Sequence, residues 1–211
     1  MRWQERKGWD ILIKAFVEEF GDDPNVRLLI KATPFDARKP QIPQQDFKRC
    51  VKVLDAFPAE NIELLTDSLS VQELIELYGS ADAFVLSSRG EGWGRPFIEA
   101  MLCGLPAIGP RWSAHLEYMN QQNSLLVSGC LVPVAAKAID EWRYFEQQLW
   151  FEPSIASLRK CMRTVIENGG PSWQRRQETV RELLSRYSAS SIAERLRALF
   201  LAIPPDGSSY S

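Results

Sequence analysis

The sequence is poor in the residues that build metal centres. It carries a single histidine, His115, which excludes any site needing several histidine ligands. Its four cysteines, Cys50, Cys103, Cys130 and Cys161, stand far apart with no paired metal-ligand spacing. They read as reduced thiols, mostly packed in the interior of a cytoplasmic protein. No apolar run approaches the roughly 18 residues of a membrane span, and the N-terminus lacks the apolar core of a signal peptide. An excess of either charge is also missing: 25 Lys and Arg face 27 Asp and Glu, a formal net charge of −2. Neither nucleic acid nor an anionic membrane surface is therefore indicated as a partner. There is no internal repeat and no low-complexity segment.

What is present suffices for a sizeable core. Of the 211 residues, 45% are hydrophobic and 25% charged, enough for one large domain or two small ones. Trp9 to Phe20 places Trp9, Leu12, Ile13, Phe16 and Phe20 at helical spacing. That helix follows a polar, basic stretch, Arg2 to Gly8, so the pattern begins in mid-unit, without a strand before its first helix. Short apolar runs at Val26–Ile30, Ile62–Leu65, Ala83–Ser87, Ala107–Ile108 and Leu125–Val127 read as strands. Helices are expected over Gln45–Ala56 and from a cap at Ser70, where Glu73 completes a reciprocal capping pattern. The chain turns irregular from Val132. Glu152-Pro153 is expected to start a helix bearing Ile155, Leu158, Met162 and Val165, and two more helices cover about 173–187 and 191–201.

The organising stretch is Ser88 to Pro106. Three glycines, Gly90, Gly92 and Gly94, lead into Arg95-Pro96, with proline suited to a first helical turn. Strand, glycine loop, helix and strand form a crossover unit whose helix N-terminus favours an anion. Glu91 and Glu99 flank that position. Two carboxylates beside an anion site suit a ligand with both phosphate and hydroxyl groups. The spacing equally fits a Glu99 that only stabilises a helix end and a solvated Glu91.

Arg6-Lys7-Gly8-Trp9-Asp10, Leu77 to Leu86, Ser87 to Pro106, Trp112-Ser113 with Glu117, and Asn123 to Val127 together resemble one family. They match the C-terminal, donor-binding domain of retaining glycosyltransferases of the two-domain GT-B architecture, specifically family 4 (group 1). Trp150-Phe151-Glu152-Pro153 with Leu158, Met162 and Arg163 is a fainter match. The resemblance implies a Rossmann-like parallel sheet flanked by helices over residues 1–165, lacking most of its first strand, with a helical extension over 166–211. It implies that a hexose passes from a nucleoside-diphosphate sugar, UDP- or GDP-linked, to an acceptor hydroxyl on a carbohydrate or similar compound. No permanent cofactor and no metal are required.

Residue by residue, the resemblance sets Glu91 by the donor sugar and Glu99 on the ribose hydroxyls. Gly92, Trp93, Gly94, Arg95 and Pro96 face the sugar and pyrophosphate. Lys7 and Arg2 grip the diphosphate, and Thr66, Ser68 and Leu69, with Ala32, flank the base. Charge grows on the departing diphosphate, so Lys7, Arg2 and the helix N-terminus would oppose it most in the transition state. Arg89 reads as a supporting or surface charge, His115 as a structural or surface residue, and Trp93 as covering the donor or meeting a partner domain. Ala114 stands where the family has glycine, and Phe151 where it has a small residue. An N-terminal acceptor domain is expected as a partner. The other readings are a non-catalytic nucleotide-sugar-binding module that needs a separate acceptor domain, and an interaction protein using exposed apolar faces.

Overall fold

The computed structural model describes residues 1–54, 60–141 and 143–202. Strand β1 (Arg2–Trp3) leads through a 3-10 turn (Glu5–Lys7) into α1 (Trp9–Phe20), then β2 (Leu28–Lys31) and β3 (Thr33–Pro34). Next come α2 (Ile42–Val53), β4 (Ile62–Leu65), α3 (Val71–Gly79), β5 (Phe84–Val85), α4 (Arg95–Leu102) and β6 (Ala107–Pro110). A 3-10 turn (Ala114–Glu117) precedes β7 (Leu125–Val127) and β8 (Gly129–Pro133), followed by α5 (Ala136–Glu141) and β9 (Leu149–Pro153). Helices α6 (Ile155–Asn168), α7 (Trp173–Tyr187) and α8 (Ala189–Ala202) complete the chain.

Seven strands pair in parallel. β2 lies on β4 with Leu28 opposite Ile62, β1 on β3, and β5–β6–β7 form a three-stranded ladder with Phe84 opposite Ala107 and Ile108 opposite Leu125. Only Ala32 separates β2 from β3, so their two ladders adjoin. Parallel strands joined by crossover helices bury both faces. α1 contributes Trp9, Ile11, Leu12, Ile13, Ala15, Phe16 and Phe20 to the larger core, with Leu158, Met162 and Val165 of α6. Each large side chain buried there contributes roughly 1.5–3 kcal/mol. Arg159 and Arg163 of α6 clip Glu19 of α1 at 2.9 and 2.7 Å. A second core gathers Leu86, Phe97, Met101, Ala107, Tyr118 and Met119 around Leu183 of α7. No helix among the described residues is long and apolar enough to cross a membrane.

Four expectations need correction. A strand does precede α1, because Arg2–Trp3 finds a parallel partner in Thr33–Pro34. Helix α2 starts at Ile42, ahead of the expected Gln45, since Pro43 is accommodated in the first turn; the expected end at Ala56 lies outside the described residues. Glu152-Pro153 closes β9, antiparallel to β8, and the following helix is capped by Ser154, which accepts from the Ser157 N–H. The cysteines are not interior: Cys103 and Cys130 are exposed, Cys50 and Cys161 half-buried. Cys103 sits at the open end of α4, and Cys130 on a strand whose residues mostly face outward.

Candidate active site

Two segments remote in sequence are stitched together at the end of the central strands. Gly8 holds φ at 65°, and a Cβ there would stand 2.0 Å from the Ser87 carbonyl oxygen. Only glycine permits that approach. Ser87 Oγ donates to the Gly8 oxygen at 2.7 Å, and the Arg89 N–H donates to the Arg6 oxygen at 2.7 Å. The result is a direct contact: Lys7 Nζ lies 2.6 Å from Glu91 Oε1, with the two side chains only 11% and 7% exposed. Arg6 adds a second cation, donating to the Gly90 carbonyl and lying 3.9 Å from Glu91 Oε1. Glu91 is also held by its backbone. Its N–H donates to Ser113 Oγ at 2.8 Å, and the Ser113 hydroxyl donates to the Glu91 carbonyl. Ser113 carries φ of 87°, a conformation that costs a non-glycine residue about 1–3 kcal/mol.

The glycine loop then turns into α4. Gly94, at φ of 74°, is the N-cap, Pro96 lies in the first turn, and no side chain caps the helix. A Cβ on Gly94 would come within 2.9 Å of the Phe97 ring and 3.0 Å of Tyr118 Oη. Tyr118 Oη in turn donates toward the carbonyls of Trp93 and Gly94, at 2.7 and 2.8 Å. Burial, and then the Glu91 charge, push the Tyr118 phenol above its ordinary range. Glu99 projects one turn along, accepting from Tyr78 Oη at 3.2 Å and lying 3.5 Å from Arg95. Burial and the Glu99 charge raise the Tyr78 phenol likewise.

Lys7 and Glu91 are thus brought together, and Glu99 shares α4 with Arg95 and Pro96. Gly92 and Arg95 are exposed. Trp93, 37% exposed, packs on Tyr118 and Tyr187, with both ring centroids 5.4 Å away. Arg2 lies exposed on β1, and its guanidinium pairs with no carboxylate among the described residues. Thr66 follows β4 and accepts from Gln44 at 2.7 Å, while Ser68 is exposed and Leu69 half-buried beyond it. No hydrogen bond among the described residues ties these four to Glu91.

His115 is structural: fully buried, its Nε2 bonds the Pro110 oxygen at 2.7 Å. Glu117 pairs with Arg186 at 2.6 Å on the surface. Of the two readings of Arg89, a supporting charge or a surface one, its 5% exposure and its bonds to Asp10 and Glu152 fit the supporting one. Sequence reasoning assigned no role to Arg6, Tyr78, Tyr118 or Ser113. Arg6 beside Lys7 was the readable cue; the others act across folds of the chain. A groove of about 550 Å³ runs elsewhere, between β7 and α6, lined among others by Arg111, Ser124, Leu126, Ser157 and Lys160.

A family model described as "Glycosyl transferases group 1" matches residues 1–142. A GDP-mannose-dependent monoacylated phosphatidylinositol monomannoside mannosyltransferase of Corynebacterium glutamicum is 27% identical over 131 residues, 59% of this chain and 31% of that protein. The crystal structure of Anabaena HepE with UDP and glucose matches at a TM-score of 0.70 and 17% identity, over 96% of this chain and 47% of that one. The C-terminal domain of LpcC, a glycosyl transferase group 1 family protein of Francisella tularensis, matches at 0.65 and 18% identity, over 89% of this chain and 83% of that one. The structures share the fold, a parallel sheet flanked by helices, and the chain spans about a third of the curated relative and half of HepE. With two thirds of its length matched by the family model, the chain belongs to the group 1 glycosyltransferases.

Proposed function

We propose that this chain is the donor-binding half of a retaining glycosyltransferase of family 4, which moves a hexose from a UDP- or GDP-sugar to an acceptor hydroxyl. The observation that carries this reading is the Lys7–Glu91 contact of 2.6 Å, made across the chain beside the uncapped start of α4. A cation, a carboxylate and a helix N-terminus with no side-chain cap at one place suit a ligand that is a phosphate at one end and a polyol at the other. In this reading Glu99 holds the ribose hydroxyls, and Thr66, Ser68 and Leu69 border the base at the end of β4. Gly92, Trp93, Gly94, Arg95 and Pro96 line the sugar and pyrophosphate. Lys7 and Arg2 stabilise the diphosphate as its bond to the anomeric carbon breaks, because negative charge rises there in the transition state. Glu91 orients the sugar and stabilises positive character at that carbon; the departing phosphate takes the acceptor proton. No metal is needed in this scheme.

The acceptor is selected by a separate domain, a reading supported by the 47% of HepE that the chain spans. Four free thiols favour a cytoplasmic setting. Calorimetric titration with UDP, GDP and ADP tests the site. One of them is expected to bind at micromolar to millimolar strength, and Glu99→Ala to weaken it about tenfold, ~1.4 kcal/mol. Binding indifferent to Glu99 would move the ribose contact elsewhere. A folded chain that binds none of the three would defeat the reading.

A further inference from the structure

We propose that Arg89 is a positioning residue: it holds segment 87–91 against segment 5–10, so that Lys7 and Glu91 face one ligand. This rests on the functional reading above and goes beyond it, since Arg89 touches neither sugar nor phosphate in that reading.

A guanidinium has five N–H donors in a fixed fork, and here every one is committed. Nε donates to Glu152 Oε2 at 2.6 Å, and one terminal nitrogen reaches Glu152 Oε1 at 3.0 Å and Asp10 Oδ2 at 2.7 Å. The other donates to Asp10 Oδ1 at 2.9 Å and to the Glu5 carbonyl at 2.5 Å. The fork also lies 4.8 Å from the Trp150 ring centroid. No donor remains for a ligand, which excludes direct binding.

The backbone of the same residue is tied twice more. Its N–H donates to the Arg6 oxygen at 2.7 Å, and its carbonyl accepts from the Phe151 N–H at 3.1 Å. Arg89 therefore joins three pieces: the turn bearing Lys7, the loop bearing Glu91 two residues on, and the β8–β9 hairpin. Burying a charge among carboxylates is a poor way to gain stability alone, because desolvation cancels most of the attraction. It is a good way to fix geometry, because a planar fork satisfied at five points allows one arrangement. Lysine, with three donors on a flexible stem, cannot reproduce it.

The experiment compares nucleoside diphosphate with monophosphate binding, using whichever base the chain prefers, in the whole chain and in Arg89→Lys, Glu152→Gln and Lys7→Ala. The wild type is expected to favour the diphosphate at least tenfold, through Lys7. Lys7→Ala removes that preference. Arg89→Lys is expected to cut it below threefold while monophosphate affinity stays within twofold, and Glu152→Gln to shift it the same way by a smaller factor. A merely structural role would leave the ratio alone, so folded variants that keep the wild-type ratio overturn the proposal. If Arg89→Lys does not fold, the half-exposed Glu152→Gln decides. A preference insensitive to Lys7→Ala overturns the assignment of Lys7 and this proposal with it. Failure of the wild type to bind any nucleotide overturns the functional reading itself.

Discussion

At the scale of single residues, the site depends on backbone positions that tolerate little. Gly8 is held at φ of 65° with the Ser87 carbonyl 2.0 Å from where a Cβ would be. Gly8→Ala is expected to destabilise the fold by at least 1–3 kcal/mol, from backbone strain alone, and denaturant unfolding reads this directly. His115 gives a pH signature. Burial, opposed by the Pro110 hydrogen bond and the Glu91 charge, lowers its folded pKa below the ordinary 6.5. A depressed histidine pKa means that the unfolded chain binds the proton more readily. Its contribution is therefore complete above about pH 6.5 and lost as pH falls further. Melting temperature should drop between pH 7 and 5, and His115→Gln should flatten that drop; an unchanged slope would show that His115 does not carry it.

At the scale of elements, legibility followed how local the cause was. Helix α1 spans Trp9–Phe20 as its periodicity predicts, because one apolar face sets both its extent and its burial. The box at the start of α3 forms as read, Glu73 N–H to Ser70 Oγ at 3.2 Å and Ser70 N–H to Glu73 Oε2 at 2.7 Å. Since α3 has no buried residue, its ends matter more than its packing. Ser70→Ala should cost about 1 kcal/mol, measured by thermal unfolding, and a neutral result would show that α3 holds without its cap. The β8–β9 hairpin was not legible, because residues 134–148 separate its strands and no short turn announces it. With the hairpin went the partner of Arg89, since Glu152 sits on β9, and so the choice between a supporting and a surface charge.

At the scale of the whole molecule, the core is continuous up to α7 and stops there. Leu183 of α7 enters the second cluster, whereas α8 buries nothing and leaves Ile192, Leu196, Leu199 and Phe200 40–70% exposed. A chain ending at Ser188 is thus expected to lose less than about 1 kcal/mol, a shift of roughly 2–4 °C. A much larger fall would show that α8 supports the core after all. Ligand should act on the opposite side of the balance: the nucleoside diphosphate at 100 times its Kd should stabilise the chain by about 2.7 kcal/mol, read as a thermal shift that Glu99→Ala reduces.

The sequence alone determined the parallel α/β plan, the glycine loop opening onto α4 and the pairing of Glu91 with Glu99 as site candidates. These follow from hydrophobic period, helix-end chemistry and residue type, all written within a few neighbouring positions. Only the tertiary structure decided which cation meets Glu91 most closely. It set Lys7 at 2.6 Å and Arg6 at 3.9 Å, left Arg2 exposed, and committed Arg89 entirely to Asp10, Glu152 and Glu5. Those distances depend on how a turn at the chain start and a loop some eighty positions later are brought side by side by the sheet between them, and no local pattern encodes that.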